Sequence, residues 1–122
     1  THGRYHHEHV FISGDQVSVI DLDRSRPTNP AKDVAEFLRV LRMSAYRTHP
    51  DMRRADEASG AFLDEYLSQL PEVATSLPYY WSAFLWLSLF GFMKKLGPGD
   101  PRRPGLLEFH SREIERAMRI KP

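Results

Sequence analysis

Two short apolar runs near the start of the chain predict a β-hairpin. Residues 10–12 and 17–20 are rich in β-branched side chains, and a polar break over residues 13–16 separates them. Gly14 in this break can take the positive φ that a tight turn requires. A two-stranded sheet is only marginally stable alone, so we expect this hairpin to pack on the helices that follow.

The remainder of the chain carries helical periodicity. Apolar residues recur at spacings of three and four, which predicts helices over roughly 30–48, 52–70, 78–96 and 105–119. Prolines mark their limits, because proline restricts the residue before it and suits the first turn of a helix. Pro50 and Pro71 are expected to end the first two helices, and Pro78 is expected to begin the third.

The same spacing predicts which face of each helix is buried. The expected core residues are Val34, Phe37, Leu38, Leu41 and Ala45 in the first helix, Ala55, Ala58, Phe62, Tyr66 and Leu70 in the second, and Leu106, Phe109, Ile114 and Met118 in the fourth. Arg39, Arg42 and Arg47 lie off the apolar stripe of the first helix. Three or four helices packed with a hairpin make an α+β fold that is mainly α.

The third predicted helix is apolar on every side. Residues 77–93 contain no charged side chain, which is 17 residues in succession. A membrane span needs about 20 apolar residues, with about 17 as the lower limit. The segment also contains proline, serine and glycine. We therefore expect a helix buried in the protein core, and not a membrane span.

Composition removes several classes of function. The chain has 122 residues, which is one domain or part of one, and its 17 basic and 16 acidic residues give a net charge of +1. A dedicated nucleic-acid binder normally has a basic excess, so no nucleic-acid partner is expected. The absence of cysteine excludes disulfides, zinc–thiolate sites and cysteine nucleophiles. With no signal peptide at its start, the chain is expected to be cytoplasmic.

Polar residues with catalytic potential occur in a distinct order along the first third of the chain. A loop that contains His2, Gly3, His6 and His9 leads into the hairpin, and Asp21 follows the second strand directly. Asp33 lies in the first turn of the next helix. A carboxylate held at the end of a strand is the type of hard oxygen ligand that Mg²⁺ takes when it also binds substrate phosphates.

Three sequence blocks carry a resemblance to a known family. The stretches HGRYHHEH, VSVIDLDRS and TNPAKDVAEFL resemble, in order, the catalytic loop, the metal-binding strand end and the following helix of aminoglycoside phosphotransferases, a choline kinase-like branch of the protein kinase-like fold. The resemblance covers about residues 1–42. It implies a C-terminal lobe, with a catalytic-type loop and hairpin over 1–29 and a helical subdomain over 30–122. The N-terminal lobe of the same polypeptide is then expected to be missing from this chain.

The family's residue roles transfer only where this sequence matches its motifs. His2 and Gly3 match the structural start of the catalytic loop, and His6 matches its second histidine. Asp21 matches the aspartate that binds Mg²⁺ at the phosphates of ATP. Asp33 matches an aspartate that holds the catalytic loop through hydrogen bonds to its backbone. The implied reaction is ATP-dependent phosphoryl transfer to a hydroxyl group of a small molecule.

Two substitutions depart from the family pattern. Arg4 stands where the family has its catalytic aspartate, and a guanidinium cannot accept a proton. His9 replaces an asparagine that contacts the metal, and imidazole suits Zn²⁺ better than Mg²⁺. Asp23 can serve as a second carboxylate or pair with Arg24 or Arg26. Because the chain also lacks a glycine-rich phosphate loop and its strand lysine, we expect it to be inactive by itself.

Other interpretations remain open from the sequence. The loss of the catalytic aspartate also suits a pseudokinase-like binding module that has no catalytic activity. The histidine-rich loop, with His2, His6, His7 and His9 close to Glu8, is a candidate metal site, because His7 and His9 share a face if the first strand extends back to them. A lobe without its other half also exposes apolar surface, which favours self-association.

Overall fold

A computed structural model describes residues 1–49 and 51–122 of the chain. The described residues form a mainly helical α+β structure, which confirms the expected class. A short 3₁₀ turn over His7–His9 comes first. It is followed by β1 (Val10–Ser13), β2 (Gln16–Val19), α1 (Ala31–Thr48), α2 (Arg53–Gln69), α3 (Val73–Lys95) and α4 (Arg103–Met118).

The hairpin forms as predicted. β1 and β2 are antiparallel, with Val10 opposite Val19 and Ser13 opposite Gln16. Gly14 turns the chain with a φ of +59°. The expected packing of this hairpin on the helices is wrong, however, because seven of its eight strand residues are exposed. The loop before β1 supports the base of the hairpin instead of the helices supporting its face.

The core lies where α1 and α4 pack on α3. Small residues of α1 let the helices approach closely, and large side chains of α3 fill the space between them. Trp81 is only 2% exposed and is the largest fully buried side chain. The core cluster consists of Ala31, Val34, Ala35, Leu38, Val73, Leu77, Trp81, Leu85 and Ala117. Burial of these side chains is the main source of stability in the fold.

The start of α3 differs from the prediction. The helix begins at Val73, and Pro78 lies inside it. Proline keeps a helical φ but cannot donate to the carbonyl four residues earlier. The additional first turn is held by the burial of Val73, Ala74 and Leu77, which offsets that lost bond. Within the described residues, no helix has the length and hydropathy that a membrane crossing requires.

Several predicted helix faces are also corrected. Arg42 is buried although it lies off the apolar stripe of α1, whereas Ala58, Leu70 and Met118 are exposed although they continue their stripes. Tertiary pairing explains Arg42, since its guanidinium meets the carboxylate of Glu113 on α4. Leu70 directly follows α2 and Met118 is the last residue of α4, so both lie at helix ends. Pro50, which we expect to end α1, lies outside the described residues.

Candidate functional site

Asp33 ties the N-terminal loop to α1. Its side chain accepts two backbone hydrogen bonds, from the N–H of His2 at 2.5 Å and from the N–H of Gly3 at 3.1 Å. The carboxylate sits in the first turn of α1, where the helix dipole favours negative charge. Asp33 therefore fixes the backbone of the N-terminal loop to the first turn of α1.

Gly3 allows the loop to press against the segment that follows β2. Its φ is +91°, which is outside the range that side-chain-bearing residues favour. A Cβ at this position would lie 2.8 Å from the carbonyl oxygen of Arg24. The two segments are also joined by a backbone hydrogen bond of 3.0 Å from Arg26 to Thr1. Glycine is thus required here for both conformation and space.

His2 connects the loop to the end of β2. Its imidazole is buried, and Nε2 donates to the carbonyl of Ile20 at 2.7 Å. Nδ1 accepts from the backbone N–H of Arg4 at 3.2 Å. A carbonyl only accepts and an amide only donates, so these two bonds place the ring proton on Nε2. This histidine is structural and holds the loop in place.

His9 and Asp21 meet at the mouth of the loop. Nδ1 of His9 donates to the carbonyl of Arg4 at 2.9 Å, and Nε2 lies 3.3 Å from Oδ2 of Asp21. Because Nδ1 already carries a proton, the contact with the carboxylate is attractive only when Nε2 is protonated as well. Asp21 has a φ of +63°, a left-handed conformation that aspartate tolerates better than most residues. The structure thus brings together His9 and Asp21, two of the candidate site residues of the sequence analysis.

These residues do not fit the Mg²⁺ ion that the resemblance implies. Mg²⁺ requires oxygen ligands in near-octahedral geometry, whereas the site offers one carboxylate beside an imidazole. Throughout residues 1–49 and 51–122, no three histidine, aspartate or glutamate side chains converge in a way that could hold a metal ion. We therefore derive no catalytic step through a metal at this loop.

Three rings of the histidine-rich loop lie against one another, with His2 and His9 stacked and His6 tilted against His9. The centroids of His6 and His9 are 3.7 Å apart, and those of His2 and His9 are 5.3 Å apart. Burial, followed by the neighbouring charge of His9, lowers the pKa of His6 below its usual value. The expected extension of β1 back to His7 is wrong, because His7–His9 forms a 3₁₀ turn, in which residues do not alternate between two faces.

Arg4 and Asp23 are both exposed. The backbone of Arg4 bonds to His2 and His9, as described above, which fixes the position of this residue in the loop. Asp23 lines a shallow cleft with Gly3 and the arginines that follow it. Of the two roles considered for Asp23, neither is seen in the described part of the chain: it belongs to no group of metal-binding side chains and forms no ion pair with Arg24 or Arg26 within 4 Å.

Sequence reasoning missed a cavity at the opposite end of α1. It has a volume of about 600 Å³ and is lined by residues from α1, α3 and the start of α4, among them Tyr46, Arg47 and Phe92. Tyr46 is 13 residues from Asp33, which is about 20 Å along the helix. The cavity is therefore separate from the loop. No periodic signal marks it, because it forms only where three helix ends meet.

Comparison with known proteins adds no assignment to this geometry. No protein-family model matches the chain, and neither does any curated protein or solved structure. The function must therefore be inferred from the residues themselves and from how they are placed.

Proposed function

We propose that this chain is a C-terminal lobe of the protein kinase-like fold, of the aminoglycoside phosphotransferase kind, that does not catalyse phosphoryl transfer. One observation carries the proposal. The carboxylate of Asp33 holds the backbone of His2 and Gly3, while Asp21 emerges from β2 beside His9. These contacts bring residues of three separate sequence blocks close together, which supports the proposal.

The loop of this chain lacks the group that the family reaction needs. In that reaction, a hydroxyl of the acceptor attacks the γ-phosphorus of ATP, and an aspartate orients the hydroxyl or accepts its proton. Arg4 stands at that position, and a guanidinium stays protonated and has no acceptor atom. The hydroxyl is therefore not activated, and no transfer above background is expected from this chain.

The residues at the expected metal position are also less suited to the family reaction. Nε2 of His9 lies 3.3 Å from the carboxylate oxygen of Asp21, on the side that a cation would approach. Its proton on Nδ1 is fixed by the carbonyl of Arg4, so any proton on Nε2 adds positive charge beside Asp21. Both substitutions replace an acidic or neutral group by one that is basic. The change at Arg4 removes the group that activates the acceptor hydroxyl, and the change at His9 weakens the binding of a metal ion at Asp21.

Restoring the family residues tests this proposal. We expect the Arg4→Asp/His9→Asn double variant to bind Mn²⁺, detected as paramagnetic broadening of NMR signals around Asp21, and the unmodified chain to show none. Adding Asp21→Asn should abolish the broadening, which makes it the matched control. A double variant that shows no broadening at Asp21 would count against the lobe assignment. Turnover of ATP by the unmodified chain, with Mg²⁺ and an acceptor present, would contradict the loss of activity.

A second candidate is a pseudokinase-like binding module whose hairpin contacts a partner. The exposed hairpin favours it, since Phe11, Ile12 and Val17 are each more than half exposed. Side chains of this kind on a strand pair are a site for association with another chain or lobe. By the resemblance, that partner is an N-terminal lobe. The full reading frame tests this: a glycine-rich loop and a strand lysine upstream would favour nucleotide binding, and their absence would favour a scaffold.

A further inference from the structure

The outward face of α3 is an unusual surface. Tyr79 is 71% exposed, Trp86 49% and Phe90 66%, although all three are large aromatic residues. They lie on the side of the helix opposite to the buried Trp81 and Leu85. A contiguous, exposed apolar stripe of this kind is typical of a surface that binds another molecule.

The spacing of this stripe is that of a helix-pairing seam. With Ala83, the residues follow one another at intervals of four, three and four, which is the alternation of core positions in a coiled coil. At 3.6 residues per turn, all four fall within a sector of about 60°. The stripe therefore fits a second helix that lies along it.

The stripe is complementary to itself when two copies run in opposite directions. We propose that α3 is a self-association surface on which two copies of this chain pack antiparallel. With the twofold axis between residues 84 and 85, the small Ala83 faces Trp86 of the second copy, and Tyr79 faces Phe90. A large side chain thus meets a small one at the centre, and the same patch serves both copies, as an isologous interface requires. The proposal does not depend on the phosphotransferase-like function.

Charges at the two ends of the seam select this orientation. Glu72 precedes α3 and Lys94 lies in its last turn, and both are exposed and project from the same side as the stripe. In the antiparallel arrangement, Lys94 lies within about 4.5 Å, along the helix axis, of Glu72 of the second copy. A parallel arrangement would instead bring like charges together at each end. The complementarity argues for a second copy of this chain as the occupant, and not for a charged surface of another kind.

The oligomeric state of the chain and its Trp86→Glu variant tests the proposal. Sedimentation measured from about 1 to about 100 µM should show a monomer–dimer equilibrium, and Trp86→Glu should weaken it by about 30-fold or more, as loss of an aromatic anchor does. Met118→Glu is the matched control, since Met118 is 64% exposed on α4 and off the seam. Circular dichroism verifies that both variants fold. A chain that stays monomeric, or a control that weakens the dimer equally, overturns the proposal.

The orientation is tested by zero-length cross-linking with a carbodiimide, which joins a carboxylate to an amine. Glu72 and Lys94 of one chain are 22 residues apart, or about 33 Å along a helix, so a cross-link between them must join two copies. Glu72→Lys or Lys94→Glu alone should weaken the dimer, and the double exchange should restore it. A dimer that lacks this cross-link and is unaffected by the charge exchanges refutes the antiparallel arrangement.

Discussion

The buried guanidinium of Arg42 provides the sharpest test of how this fold is held together. Its Nε donates to Glu113 at 2.5 Å, a second nitrogen lies 2.9 Å from Asp56, and a third donates to the hydroxyl of Ser59 at 2.9 Å. These contacts join α1, α2 and α4. Arg42 and Glu113 are only 2% and 3% exposed. Burial disfavours the charged form, but the bonds and charges of Glu113 and then Asp56 outweigh it and raise the pKa of Arg42.

Replacing Arg42 by methionine keeps most of its volume and removes the charge. Glu113 is then buried with only the exposed Arg116 nearby, at 3.3 Å. Breaking a buried ion pair in this way costs about 3–5 kcal/mol, which is a large part of the stability of a domain of this size. Asp56 and Ser59 contribute little to the loss, because Asp56 is partly exposed and the Ser59 hydroxyl still donates to Ala55.

The assay is urea unfolding, followed by circular dichroism and by tryptophan fluorescence, to which the buried Trp81 and the half-exposed Trp86 both contribute. Arg39→Met is the matched control, because Arg39 pairs with Glu36 on the same helix in a partly exposed position, and such pairs contribute at most about 1 kcal/mol. If Arg42→Met does not fold, the double variant Arg42→Met/Glu113→Leu still decides the matter. An apolar pair should recover most of the lost stability. A loss below about 1 kcal/mol for Arg42→Met, equal to that of the control, would refute the reasoning.

Three further predictions concern single residues. Burial lowers the pKa of His110, whose Nδ1 donates to the carbonyl of Leu106 and whose Nε2 accepts from Ser88. Because this histidine binds a proton more readily in the unfolded chain, the free energy of unfolding should fall as the pH drops below about 6.5. The fall should be less steep in His110→Asn. Pro78→Ala should raise the melting temperature of the protein, because alanine restores a hydrogen bond within α3 and removes the clash of the proline ring. The two effects together are worth up to about 3 kcal/mol. Gly3→Ala should loosen the loop, seen as faster amide exchange of its backbone, because the new Cβ meets Arg24; an unchanged exchange rate would contradict the close approach.

Only part of the candidate site could be predicted from the sequence. The order of the loop, the hairpin and Asp33 is read directly from the sequence, and the family resemblance implies that Asp33 bonds to the backbone of the loop. The resemblance assigns both His9 and Asp21 to the surroundings of the metal, but their direct contact at 3.3 Å could not be predicted. It depends on a positive φ at Asp21 and on a 3₁₀ turn before β1, and neither has a periodic signal.

Local sequence patterns alone determined the fold class. The helices and the hairpin follow from residue spacing, proline positions and one glycine turn, because the conformational preferences involved act between residues that are close in sequence. Only the tertiary structure decided which polar groups are buried. Arg42 and His110 lie in the interior since partners from other helices satisfy them, and the free energy of such a pairing exists only once distant segments meet. The same holds for the outward face of α3, whose exposure depends on which side α1 and α4 happen to cover.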